Sequence, residues 1–177
     1  YGWSAGEPEP YHWETPGMMQ FLHLAAENPD RVAVALHEYS YTVGDIADGY
    51  HYKVGRFQDL FRICDQHGIA RPTVLITEWG WEYQTVPDVT SALEDIAWAS
   101  WLYAAYPQIK GAAIWYLGPG FGGIADQAQK LIVPVGDYAR RHYFAIEQGQ
   151  GRIDPELFRP AGREPDWTAW EPDNLPR

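Results

Sequence analysis

The stretch TVLITEWGW, residues 73–81, decides how the chain is read. It opens as an unbroken apolar run and closes on a carboxylate, Glu78, set against Trp79, Gly80 and Trp81. A short apolar run with no polar alternation is what a strand of a parallel sheet looks like when both of its faces are covered. Two further runs share the pattern, VAVAL at 32–36 and AAIWYL at 112–117. Between the three lie amphipathic stretches of helical length, so the chain reads as repeated βα units.

The expected helices carry their own start and stop signals. Thr15-Pro16 places an N-cap residue before Pro at the first helical position, and Asn28-Pro29 ends that helix. A second helix runs from about Val54 to His67, with Phe57, Leu60, Phe61 and Cys64 on one face and Gly68 as its stop. Ser91 and Glu94 form a capping box for a third, whose inner face includes Leu93, Ile96 and Ala97. A last helix is expected from about Pro134 to Ile146, and residues 1–7 read as the end of a further strand. The fold class is therefore α/β, with about four parallel strands in one domain over 1–148. The Gly-, Pro- and charge-rich remainder, 149–177, reads as a surface-wrapping tail. The chain begins at Tyr1 within what reads as folded sequence, so a processed product, a fragment or an engineered piece is expected.

Composition narrows the function. With 24 acids against 13 bases the net charge is -11, which repels nucleic-acid phosphates and anionic lipid surfaces and favours neutral or cationic ligands. No apolar run is long enough to span a membrane. The single cysteine, Cys64, allows no disulfide within the chain and sits at a core position of its helix. The six histidines show no ligand spacing, so no metal is expected, and Asp45, Asp48 and Gly49 lack the spacing of a calcium loop. Gly118 to Gly123 reads GPGFGG and formally satisfies the dinucleotide fingerprint, yet no second strand with a ribose-binding acid follows it. No G-x-S-x-G elbow is present.

What remains is a set of strand ends. In parallel α/β architectures ligands gather where the strands give way to βα loops. Here those ends carry His37-Glu38-Tyr39, then Glu78-Trp79-Gly80-Trp81, then Trp115-Tyr116 followed by Gly118-Pro119-Gly120. If the strands are neighbours, these groups form one rim, and Glu, His, Tyr and Trp together suit a sugar cleft: a carboxylate for the anomeric centre, hydrogen-bonding groups beside it, and indole faces for the ring.

The order HEY, ITEWG and IWYLG resembles the last three strands of the (β/α)8-barrel retaining glycoside hydrolases, the large clan of cellulase-like, mannanase-like and xylosidase-like enzymes. The resemblance covers about residues 1–147 and implies the carboxyl-terminal half of such a barrel, acting on a poly- or oligosaccharide without a cofactor. It makes Glu78 the nucleophile, His37 and Tyr39 groups that line the reactive subsite and hydrogen-bond to it, and Trp115 the tryptophan under the sugar. Trp79 and Trp81 are further candidate platforms. The compartment stays unknown, with a secreted or extracellular setting favoured.

One part of the family pattern is not met. The acid/base glutamate of the clan ends strand four in an Asn-Glu-Pro context, and the nearest string here is Gly6-Glu7-Pro8. Only one helix separates Glu7 from the HEY strand, which places Glu7 at the end of strand five, as a substrate-binding candidate. Glu38 is the remaining internal candidate for the acid, although strand alternation turns it away from His37 and Tyr39. Half a barrel would also leave open edges and a bare inner face. The expected remedy is association with a missing amino-terminal half or with a second copy; a smaller open sheet is the other solution. A catalytically silent carbohydrate-binding or assembly module is the alternative function.

Overall fold

The computed structural model describes residues 2–3, 10–40, 46–82 and 84–142. Glu7 and the 149–177 tail lie outside the described residues. The architecture is α/β: one parallel sheet with strand order β1-β2-β3-β4, made of β1 (Gly2–Trp3), β2 (Val34–Tyr39), β3 (Val74–Gly80) and β4 (Ile109–Ile114). β1 is a two-residue stub, so three strands form the body of the sheet. Chain order equals spatial order, because each strand is followed by a helical crossover that returns the chain to lie parallel beside its predecessor.

The crossovers are α1 (Pro16–Glu27), α2 (Phe57–Gln66) and α3 (Val89–Ala104), with α4 (Ile124–Ala128) and α5 (Ile132–Arg141) after the last strand. α1 begins at Pro16, whose ring sets the first helical φ, and ends at Asn28, whose side chain donates back to the Leu24 carbonyl at 2.9 Å. α2 ends in a Schellman arrangement. Gly68 takes φ +65°, Ile69 N donates to Cys64 O at 2.8 Å and Gly68 N to Asp65 O at 3.3 Å, which satisfies the last carbonyls of the helix.

Three expectations about local structure are corrected. The cap of α3 is Asp88 and not the Ser91-Glu94 box: the Asp88 carboxylate accepts from Thr90 N at 2.9 Å and Ser91 N at 3.2 Å, so the helix starts three residues before the box would place it. β4 covers 109–114 rather than 112–117, because pairing with β3 recruits Ile109, Lys110 and Gly111 and releases Tyr116 and Leu117 into the following loop. The last helix begins at Ile132, two residues early, and the short α4 precedes it.

The largest difference concerns the faces of the sheet. Burial alternates along β2 and along the first half of β3. Val34, Leu36, Val74 and Ile76 are buried and join Leu22, Phe57, Leu60, Phe61, Ala92 and Leu102 in the core beneath the helices. On the opposite face Ala35, His37 and Tyr39 are half-buried, and Leu75 is 40% exposed. Apolar runs with no polar alternation concealed this division, since Ala35 and Leu75 read as core yet face outward. Cys64 is buried in the helical layer as expected, and burial pushes its thiol up to about 11.

This one-sided core can be tested with two leucines on neighbouring strands. Leu36→Ala removes a fully buried side chain and is expected to cost about 2–5 kcal/mol in urea unfolding, whereas Leu75→Ala should cost less than about 1 kcal/mol. Equal losses would mean that the outward face is packed in solution.

Candidate active site at the strand ends

β2, β3 and β4 are neighbours, so their carboxyl ends form one rim, and the register decides which side chains meet there. The pairing of β2 with β3 shifts between Leu36 and His37. Below the shift Leu36 lies opposite Ile76; above it His37 lies opposite Glu78 and Tyr39 opposite Gly80. The irregularity offsets one strand against the other by a residue, which re-aims side chains at the strand end. Without that offset His37 would face Thr77.

The result is a carboxylate with two neighbours on one oxygen. The Tyr39 hydroxyl donates to Glu78 Oε2 at 2.9 Å, and His37 Nδ1 lies 3.1 Å from the same oxygen. The side chains of His37 and Glu78 are 21% and 25% exposed, so the group is reachable from solvent but not immersed in it. Gly80 belongs to this geometry: a Cβ there would lie 3.3 Å from Tyr39 Cε1, so a larger residue would press on the ring that supplies the hydroxyl.

Trp115 completes the rim from β4. Its backbone N–H continues the ladder by donating to Trp79 O at 2.9 Å, which fixes the indole one residue past the strand. Tyr116 stacks on it with centroids 4.3 Å apart and planes at 16°, and Phe121 meets it edge-on at 5.6 Å. One indole face is thus occupied by Tyr116.

The other predicted residues are placed elsewhere. Glu38 is corrected from catalytic candidate to core residue. It is fully buried beneath the helices, where its Oε2 accepts from Tyr103 Oη at 2.6 Å and Gly55 N at 3.0 Å. Trp79 and Trp81, expected as sugar platforms, are each 2% exposed and pack edge-to-face on one another at 5.0 Å. The Trp81 indole N–H donates to Asp95 Oδ2 at 2.5 Å, which ties the loop after β3 to α3. Sequence reasoning overlooked Asp95, Tyr103 and Gly55, because each acts through a contact distant in sequence. Glu7 lies outside the described residues.

A separate cavity does not coincide with this rim. A cavity of about 370 Å³ lies between α3 and β4, lined by Ile96, Ala99, Tyr103, Ile109, Ala112 and others. It is mainly apolar and sits beside the edge strand on the helical side, so it bears on packing at that edge rather than on Glu78. Among the described residues no group of three or more His, Cys, Asp or Glu side chains is arranged to hold a metal ion, and no helix is long and apolar enough to cross a membrane. No family model, curated protein or solved structure matches the chain.

Burial raises the Glu38 carboxyl from the usual carboxylate range to about 7, against the smaller lowering effects of the Tyr103 hydroxyl, the Gly55 amide and the Arg56 charge. Its Oε1 has no hydrogen-bond partner among the described residues, which adds to the cost of ionising it. A folded pKa above the unfolded one means that the native state holds this proton more tightly. The resulting stabilisation is complete below about pH 4.5 and fades as pH rises through about 7. Across that window it amounts to about 3 kcal/mol. Glu38→Gln mimics the protonated form, so its urea-unfolding stability should lose this decline between pH 5 and 8, at about those limits, while the parent chain keeps it.

Proposed function

We propose that Glu78 is the nucleophile of a retaining glycoside hydrolase site and that the βα repeat is the carboxyl-terminal half of a (β/α)8 barrel. The observation that carries this reading is the carboxylate at the end of β3, one oxygen of which accepts from Tyr39 and lies 3.1 Å from His37 Nδ1, both at the end of β2. A nucleophilic carboxylate must stay ionised, must not rotate, and must offer a lone pair to the anomeric carbon. The Tyr39 hydrogen bond to Oε2, with His37 Nδ1 3.1 Å from the same oxygen, restrains the plane of the group, and in this reading Oε1 is the attacking oxygen. Hydrogen bonds to charged groups are worth about 1.5–3 kcal/mol each, enough to order such a side chain.

In the proposed reaction Glu78 Oε1 attacks the anomeric carbon as the glycosidic bond breaks, forming a glycosyl ester. An acid protonates the departing oxygen. Its conjugate base then takes a proton from water, and the resulting oxygen nucleophile attacks the anomeric carbon and releases the sugar and the Glu78 carboxylate. Trp115 would stack beneath the ring, and the net charge of -11 favours an uncharged glycan over an anionic one. The acid is to be sought beyond the described residues, because Glu38 is enclosed on the opposite face of the sheet.

Support for the half-barrel comes from the sheet. Among the described residues all strands are parallel, their order is sequential, and the face that carries Ala35, His37 and Tyr39 is the less buried one. Parallel sheets are ordinarily enclosed on both faces. In a closed barrel the open face becomes the filled interior, and β1 and β4 become interior strands of the ring. The remaining strands would come from a separate amino-terminal half or from a second copy. The alternative, a carbohydrate-binding or assembly module without turnover, is favoured by one observation: the internal candidate for the acid is buried on the wrong face.

Incubation with a 2-deoxy-2-fluoroglycosyl fluoride tests the proposal. Intact mass should rise by one glycosyl unit, with the label on Glu78 after proteolysis, and Glu78→Gln should take up none. Tyr39→Phe should slow labelling by about tenfold or more, the loss of one charge-assisted hydrogen bond. Binding of glycans with no covalent label on any variant would leave the non-catalytic module as the reading.

A further inference from the structure

We propose that Gln127, on α4, is a positioning residue that couples the loop after β3 to the glycine-rich loop after β4, and that this coupling sets how tightly the cleft holds its ligand. The effect on ligand rests on the sugar-cleft reading of the rim; the coupling itself does not.

The carboxamide of Gln127 makes two hydrogen bonds to one loop. Its Oε1 accepts from Val86 N at 3.1 Å and its Nε2 donates to Gln84 O at 3.0 Å. Both partners are backbone groups of the segment between β3 and α3, over forty positions away in sequence. An amide side chain that accepts from one residue and donates two residues further back imitates a strand pairing, and neither a carboxylate nor an ammonium can make both bonds.

The grip extends into the second loop. Gln84 has φ 65°, a left-handed conformation that is unusual for a residue with a side chain. In that conformation its own carboxamide covers Gly122: a Cβ at 122 would lie 2.5 Å from Gln84 Oε1. Gly122, at φ +63°, therefore serves both a backbone conformation that favours glycine and a close approach. Its neighbour Phe121 meets the rings of Trp115 and Tyr116 edge-on at 5.6 and 5.3 Å. A continuous line of contacts thus runs from Gln127 through Gln84 and Gly122 to Phe121 and Trp115.

These contacts lie in the loops that follow β3 and β4, away from the contacts of Glu78 with His37 and Tyr39. Loss of the latch is expected to disorder the wall that receives the ligand while leaving the carboxylate poised. The consequence is weaker binding with an undiminished chemical step.

The experiment compares the full chain with its Gln127→Ala and Gln127→Glu variants. Saturation kinetics of Glu78 labelling by the fluoroglycosyl fluoride should show an apparent binding constant weakened about tenfold in Gln127→Ala, as expected for two lost hydrogen bonds. The limiting rate constant should stay within about twofold. Gln127→Glu, which keeps an acceptor for Val86 but presents no donor to Gln84, should fall between. Hydrogen exchange read by mass spectrometry should be faster in Gln127→Ala across both 82–87 and 118–123, with 74–78 unchanged. A limiting rate that falls at constant binding, or no kinetic change, would overturn the positioning role. Faster exchange in 82–87 alone would overturn the coupling. If the parent chain takes no label, the sugar reading fails with it, and the exchange pattern alone decides whether Gln127 links the loops.

Discussion

Everything at the rim depends on the register between β2 and β3. Pairing between parallel strands is slanted and evenly spaced, so a single offset fixes every residue pair beyond it. Here the offset falls between Leu36 and His37, and it places His37 beside Glu78 and Tyr39 beside Gly80. One residue of slip would exchange the faces and carry the carboxylate into the helical layer. The burial of Leu36 and Ile76 on one side of the irregularity and the contacts of Tyr39 and His37 with Glu78 on the other hold that register from both ends.

The same strand ends show how environment assigns different properties to similar groups. Glu38 and Glu78 are both strand-end glutamates, one on each of two neighbouring strands. Glu78 keeps partial access to water, accepts from Tyr39 and lies beside His37. Glu38 is enclosed by the helices, with an oxygen lacking a partner among the described residues, and burial raises its pKa to about 7. Desolvation dominates at Glu38, whereas Glu78 is placed by its neighbours on β2. The tyrosines divide likewise: Tyr39 serves the open face, whereas Tyr103 reaches from α3 to hold Glu38 and so ties β2 to the helical layer.

Much of the fold was legible because its signals are local. Pro16, Asn28 and Gly68 mark helix ends through their own backbone restrictions, and the apolar runs at 32–36 and 73–77 overlap the central strands. Other signals misled for physical reasons. Asp88 was overlooked as a cap because it stands after Pro87, outside the box pattern, although its extended backbone and carboxylate suit the role. The strand at 109–114 holds Lys110 and Gly111, which local propensity would not choose; its partner β3 selects them. Trp79 and Trp81 look like cleft aromatics from their position in the motif, yet their indoles fill the space between the sheet and α3.

The sequence by itself determined the parallel βα class, the carboxylate at the end of the central apolar run, and the residue types gathered at the neighbouring strand ends. Those follow from periodicity and from the chemistry of single residues, which are properties of short stretches. Only the tertiary structure decided which glutamate faces the rim, which oxygen of Glu78 is held, which tryptophans are buried, and that Gln127 on α4 binds a loop more than forty positions earlier. Each of these is a question of face and distance between segments remote in sequence. Strand alternation restricts the answer to two faces, and packing against the helices selects one of them.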